Sequence, residues 1–240
     1  MDNTIDPATQ ERIERAHAIL DAAKTLILRW GYNKTTVDDI AKEAEVGKGT
    51  IYLHWKTRDD LFLTLIRRER LALSDDLQAR IDADPDGARL GNILKHTMIA
   101  TLNRPLLKAL VLQRREVWGK LLEREQDTEA YIQKMAGFKA YLEFVQSHKL
   151  VRHDDEPQAQ VVMVSSIVTG FFQTSELLPP DYQSSDEELA NLLCETVRRT
   201  FEPQEGITTE QLQIAKRSFL EYVSKIATLM HEQFNQDMAT

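Results

Sequence analysis

Over the first thirty residues, Ile13, Ala16, Leu20, Ala23, Ile27 and Trp30 follow one another at steps of three and four. That spacing lines them along one face of an α-helix, and such a face has to be covered by another element. The same period continues almost to the carboxyl terminus, while no apolar–polar alternation runs beyond four or five residues. The pattern predicts an all-α protein with no sheet. With 240 residues, 42% of them hydrophobic, the chain can bury a sizeable core.

Helix signals divide the chain. The first helix is expected from about Thr9 to Trp30, ending at Gly31, a residue free to take positive φ. Thr36 is a suitable cap for a second helix through Ala44, with Asp38 and Asp39 favourable in its first turn. A third, short helix is expected from about Lys48 to Trp55, and a longer fourth one opens at Asp59. Further helices are expected at about 86–102, 105–122, 125–149, 157–178, 186–202 and 208–236, separated by "NRP", "RHDDEP" and "LLPPDYQSSD". No Gly- or Ser-rich linker interrupts residues 60–80, so the fourth helix itself is expected to join an amino-terminal domain, 1–66, to a larger one, 67–240.

Charge is distributed unevenly. Residues 1–70 hold 12 Lys/Arg and 12 Asp/Glu, leaving 18 and 26 for the remainder, so the second part carries the whole net charge of -8. An acidic total excludes a general polyanion-coating role but not a local one, because fields are decided over roughly a Debye length, about 10 Å. The single cysteine, Cys194, rules out an intrachain disulfide and reads as a buried small apolar position. Neither a signal peptide nor a membrane-spanning run is visible, which predicts a cytoplasmic protein without a membrane partner.

The informative segment is "TVDDIAKEAEVGKGTIYLHWKTRDDL". Val37, Ile40, Ala41 and Ala44 stripe the second helix; Ile51 and Trp55 stripe the third at i and i+4. Helices this short are marginal alone and must pack on the first. A three-residue turn joins them, as in a helix-turn-helix. Lys48, Gly49, Thr50, Tyr52, Leu53 and His54 are then expected to face outward. From Val46 to Arg58 there is no Asp or Glu, while Lys48, Lys56 and Arg58 are positive. An acid-free cationic face on a helix narrow enough for a groove is what a duplex requires.

"TTVDDIAKEAEVGKGTIYLHWKTRDDLF" resembles the DNA-binding segment of the tetracycline-repressor (TetR) family, over about 50 residues from Ile13 to Leu65. Glu45 stands where that family commonly has Gly, Gly47 where it has a capping Ser, Trp55 for Phe and Arg58 for Lys. The resemblance implies DNA contacts from Thr36, Lys48, Gly49 (through its backbone), Thr50, Tyr52, His54, Lys56 and Arg58. It further implies a homodimer on a pseudo-palindromic double-stranded operator, and release of a repressor by a small-molecule effector. An effector pocket is expected among Met98, Trp118, Phe138, Tyr141 and Phe171, and a dimer face among Val164, Ile167, Val168 and Phe172. The final helix could reinforce the dimer or cover the pocket.

Competing readings are weaker. "GKGT" at Gly47–Thr50 lacks the earlier Gly and the preceding strand of a phosphate loop. The six histidines form no i,i+4 pair and no Cys-assisted set, so no metal or other cofactor is expected. No catalytic residue set is visible, so the protein is not expected to be an enzyme. The alternative function is a helical ligand-binding or protein-interaction module of this architecture that no longer reads DNA.

Overall fold

The computed structural model describes residues 6–112, 121, 129–152 and 156–239. All of the regular structure among them is helical: α1 (Pro7–Trp30), α2 (Val37–Glu43), α3 (Lys48–His54), α4 (Arg58–Ala83), α5 (Leu90–Leu102), α6 (Pro105–Leu112), α7 (Glu129–Ser147), α8 (Pro157–Leu177), α9 (Asp186–Phe201) and α10 (Thr209–Ala239). Short 3-10 turns at Tyr32–Lys34 and Pro180–Tyr182 complete it. None of these helices is long and apolar enough to cross a membrane.

Local chemistry sets the helix ends. Pro7 occupies the first turn of α1, where it loses no hydrogen bond, and Asp6 caps it through Thr9 N–H. Gly31, at φ 82°, ends the helix. The fourth helix is capped by Thr57, two residues before the expected opening at Asp59: Thr57 Oγ1 accepts from Asp60 N–H, and Asp60 returns the bond to Thr57 N–H. Reciprocal satisfaction of two end groups outcompetes a lone Asp. α5 opens at Leu90, later than expected, because "ADPDGAR" forms a turn held by Asp84 and Asp86.

Two apolar cores form. The second is built from α4 (its distal half), α5, α7, α8, α9 and α10, with Leu142, Ala190, Leu193 and Val197 fully enclosed. Gly91 lets α5 and α9 approach closely; a Cβ there would lie 2.8 Å from the Cys194 carbonyl oxygen. Cys194 itself is half-buried, and its thiol donates to Asn92 Oδ1 at 3.4 Å.

The first core surrounds Ile19, Leu20, Ile40, Ile51, Leu61, Phe62 and Leu65, and it does not stop at residue 66. Leu71, Leu106 and Leu110 join it, and so do Phe234 and Met238 from the end of α10. α10 therefore runs along α4 and reaches the amino-terminal helices, a placement that periodicity could not foresee.

Candidate nucleic-acid interface and internal cavity

Thr36 and Asp39 form a reciprocal cap at the start of α2. Asp39 N–H donates to Thr36 Oγ1 at 3.2 Å, while Thr36 N–H and O–H donate to Asp39 Oδ2 at 3.1 and 2.5 Å. Those bonds, first the hydroxyl and then the amide, hold the Asp39 carboxyl below the usual carboxylate range. Val37, Ile40 and Ala41 are buried against α1. The chain then turns through Glu45 at φ 53°, and Val46 N–H returns to Ala41 O at 2.9 Å. A side chain in that left-handed region costs roughly 1 kcal/mol, a small share of a typical domain's stability of about 5–15 kcal/mol. Glu for Gly is accordingly tolerated.

α3 presents two faces. Ile51, His54 and Trp55 are buried, whereas Lys48, Gly49, Tyr52 and Leu53 are exposed and Thr50 is half-buried. Leu53, 74% exposed, is the most open large apolar side chain of this helix. Its position one residue beyond Tyr52 places it on the outward face, and an apolar side chain there suits a sugar or a thymine methyl. Lys48 Nζ lies 2.8 Å from Asp38 Oδ2, both side chains being largely open to solvent. Such a pair is weak and screened by salt, so Lys48 can exchange its carboxylate for a phosphate. Lys56 is exposed just after the helix.

Two of the expected contact residues are not on this open face. His54 is 5% exposed rather than outward, because i+3 from Ile51 and directly before Trp55 it shares their inner stripe. Its ring packs 5.3 Å from the Trp55 ring. Burial, reinforced by Arg12 and Arg15, pushes its pKa down, so the imidazole is neutral at pH 7. The sign follows: the folded amino-terminal core binds fewer protons at this site than the unfolded chain does, so its stability is intact above about pH 6.5 and falls in acid. Melting temperatures measured from about pH 7.5 down to about pH 5 should drop more steeply for the wild type than for His54→Phe.

Arg58 is half-buried. Its guanidinium stacks 4.5 Å over the Tyr32 ring and 5.6 Å from that of Phe62. It donates to the carbonyls of Thr35 at 3.2 Å and Tyr32 at 3.5 Å. Tyr32 O–H in turn donates to Asp59 Oδ1 at 2.6 Å. Burial, then the Asp59 carboxylate, raise the Tyr32 phenol. Arg58 thus clamps the α1–α2 connection onto the start of α4 and positions α2. Arg58→Ala should lower head stability by about 1–2 kcal/mol while leaving the salt slope of DNA binding unchanged. A slope reduced by about one unit would reinstate a phosphate contact.

A cavity of about 340 Å³ lies between α4, α5, α6 and α10. Leu77, Leu110, Phe219, Val223 and Ile226 contribute its apolar wall; Arg67, Arg70, Ser74 and Gln233 are among its polar residues. Of the expected pocket residues, none described lines it. Met98 and Tyr141 are buried in the second core. Tyr141 stacks with Tyr222 and meets the edge of Phe219, both of which do line the cavity, so it stands behind the wall. Phe138 packs at the margin of that core, and Phe171 lines a separate surface groove. Trp118 lies outside the described residues.

The expected dimer residues divide similarly. Val164 and Phe172 are buried in their own core, because 164, 168 and 172 form the inner stripe of α8. Ile167 and Val168 are half-buried against that core, and Ile167 also borders the groove between α8 and α9. The outer apolar residues are Val162 (60% exposed), Leu177 (78%) and Leu192 (53%).

Residues 19–65 match the sequence family described as bacterial regulatory proteins, tetR family. Over 51 residues the chain is 45% identical to the HTH-type transcriptional regulator QacR of Staphylococcus aureus, spanning 21% of this chain and 27% of that protein. Over 123 residues it is 31% identical to the HTH-type transcriptional regulator AcrR of Shigella flexneri, spanning 49% of this chain and 57% of the relative. The chain therefore spans about a quarter to just over half the length of these curated relatives. A solved structure of a SmeT–triclosan complex shares the fold, with a TM-score of 0.62 at 17% identity over 81% of this chain and 95% of the other.

Proposed function

We propose that the chain is a DNA-binding transcriptional regulator of the tetR type, whose family model residues 19–65 match, and that it is a repressor released from its operator by a small molecule. The observation that carries this reading is the division of α3. Ile51, His54 and Trp55 anchor it inside, while an outward face of Lys48, Gly49, Thr50, Tyr52 and Leu53 holds no acid. In this reading Lys48 and Lys56 meet phosphates, and Thr50, Tyr52 and Leu53 meet base edges. Thr36 fixes the start of α2 and offers its exposed end to the backbone.

Two copies act together, joined through the outer faces of α8 and α9, where Val162, Leu177 and Leu192 are otherwise left in water. Their α3 helices then enter successive major grooves about 34–36 Å apart, on a pseudo-palindromic site. The cavity takes the effector. A ligand that prefers another separation of the heads lowers DNA affinity by its differential affinity for the two states. Residues 1–66 act as the reading head and 67–240 as the effector and pairing domain. The test is a mobility-shift titration on the DNA flanking its own reading frame against random duplex. Binding as a dimer to one symmetric site supports the reading, and equal binding to both duplexes defeats it.

A further inference from the structure

α10 does two things at once. Through Phe219, Tyr222, Val223, Ile226, Met230 and Gln233 it forms one wall of the cavity, and its last turns then anchor on the head. The Asp237 carboxylate holds the Arg67 guanidinium and lies 3.0 Å from Thr64 Oγ1. Arg12 donates to Met238 O at 3.1 Å, and the Phe234 ring faces that of His17. Thr64 Oγ1 in turn accepts from Trp55 Nε1 at 3.0 Å, at the carboxyl end of α3.

Arg67 belongs to both sets: it lines the cavity and it holds Asp237. Arg70 lines the cavity as well, and among the described residues no Asp or Glu does. The chamber therefore combines a long apolar wall with two guanidinium side chains on one helix turn of α4. A ligand carrying its own carboxylate competes for Arg67 better than an alcohol or an amine of the same body, since charge-assisted bonds to arginine are roughly twice as strong as neutral ones. A cationic ligand meets like charge.

We propose that the cavity binds an amphipathic monoanion, whose acid group takes Arg67 from Asp237 and so frees the end of α10 from the head. This rests on reading the cavity as the effector site. Anion exchange on Arg67 removes the bond that ties Asp237 to α4. With it goes the Asp237–Thr64 contact next to Trp55, so occupancy of the cavity is felt where α3 ends. Metal and redox chemistry are not required; the device is one carboxylate substituting for another.

The probes are decanoate, decan-1-ol and decylamine, each below its micellar concentration, titrated calorimetrically into the full-length protein. Decanoate should bind about tenfold more tightly than the alcohol, and the amine most weakly. Asp237→Asn, which keeps the shape and an acceptor, should raise decanoate affinity several-fold and leave the alcohol unchanged. Arg67→Met should erase the preference and Arg67→Lys should keep most of it. In the wild type, decanoate should accelerate amide exchange over residues 230–238. Equal binding of the three probes, or weaker decanoate binding by Asp237→Asn, overturns the proposal while leaving the effector-site reading intact. If none of the three binds, both fall.

Discussion

Trp55→Ala should cost the head about 3–5 kcal/mol, a large part of the 5–15 kcal/mol that holds a typical domain together. The indole is 3% exposed, packs beside His54, and donates Nε1–H to Thr64. Its removal leaves a void beside α3 and a hydroxyl without its donor, and α3 is too short to persist without that anchor. The damage should be local, because Trp55 belongs to the first core and not to the second. Hydrogen exchange should show lost protection across residues 37–55 with Leu142 and Leu193 still protected, and DNA binding should vanish. Trp55→Phe should retain most of the packing. Cooperative loss of protection through both cores would show that the two are not separable units.

Gly49→Glu should abolish operator binding without harming the fold. A Cβ at position 49 meets nothing within 4 Å. Replacing glycine inside a helix gains up to roughly 1 kcal/mol, and an acid in the first turn of a helix is favourable. The melting temperature should therefore hold or rise. At the interface the same carboxylate faces phosphates, where like charge costs several kcal/mol, so affinity should fall by about a hundredfold or more. Gly49→Ala serves as the control for bulk and should lose far less. A mobility-shift titration beside a thermal melt separates the two effects. If Gly49→Glu binds as the wild type does, α3 is not what enters the groove.

The head was legible from sequence because its determinants are local. The stripe of α1, the Thr36 cap, the apolar set of α2 and the turn at Glu45 each lie within a few residues of one another. What escaped was decided by partners distant in the chain. His54 reads as outward because what encloses it comes from α1, whose Arg12 and Arg15 lie near its ring. Arg58 read as a phosphate ligand because the ring it covers, Tyr32, lies 26 positions away. Aromatic residues suggest a pocket, but the central ones fill the core, and the cavity lies instead between α4, α5, α6 and α10. Arg67 sits in the run "RRER", which in isolation resembles a solvated helix face. On α8 the apolar residues cover nearly the whole circumference, so period alone could not separate Val164 from Val162.

α4 has 26 residues without a break, roughly 39 Å of continuous rod at 1.5 Å per residue. Its first turns are locked into the head by the Thr57–Asp60 cap and by Leu61, Phe62, Leu65 and Ile66, and its middle, from Arg67 to Leu77, borders the cavity. A rod of that length works as a lever: a tilt of about 5° at one end carries the other through roughly 3 Å. In the proposed dimer that travel would double to a sizeable fraction of a groove's width, so modest swelling of the cavity would put the two heads out of step with one duplex.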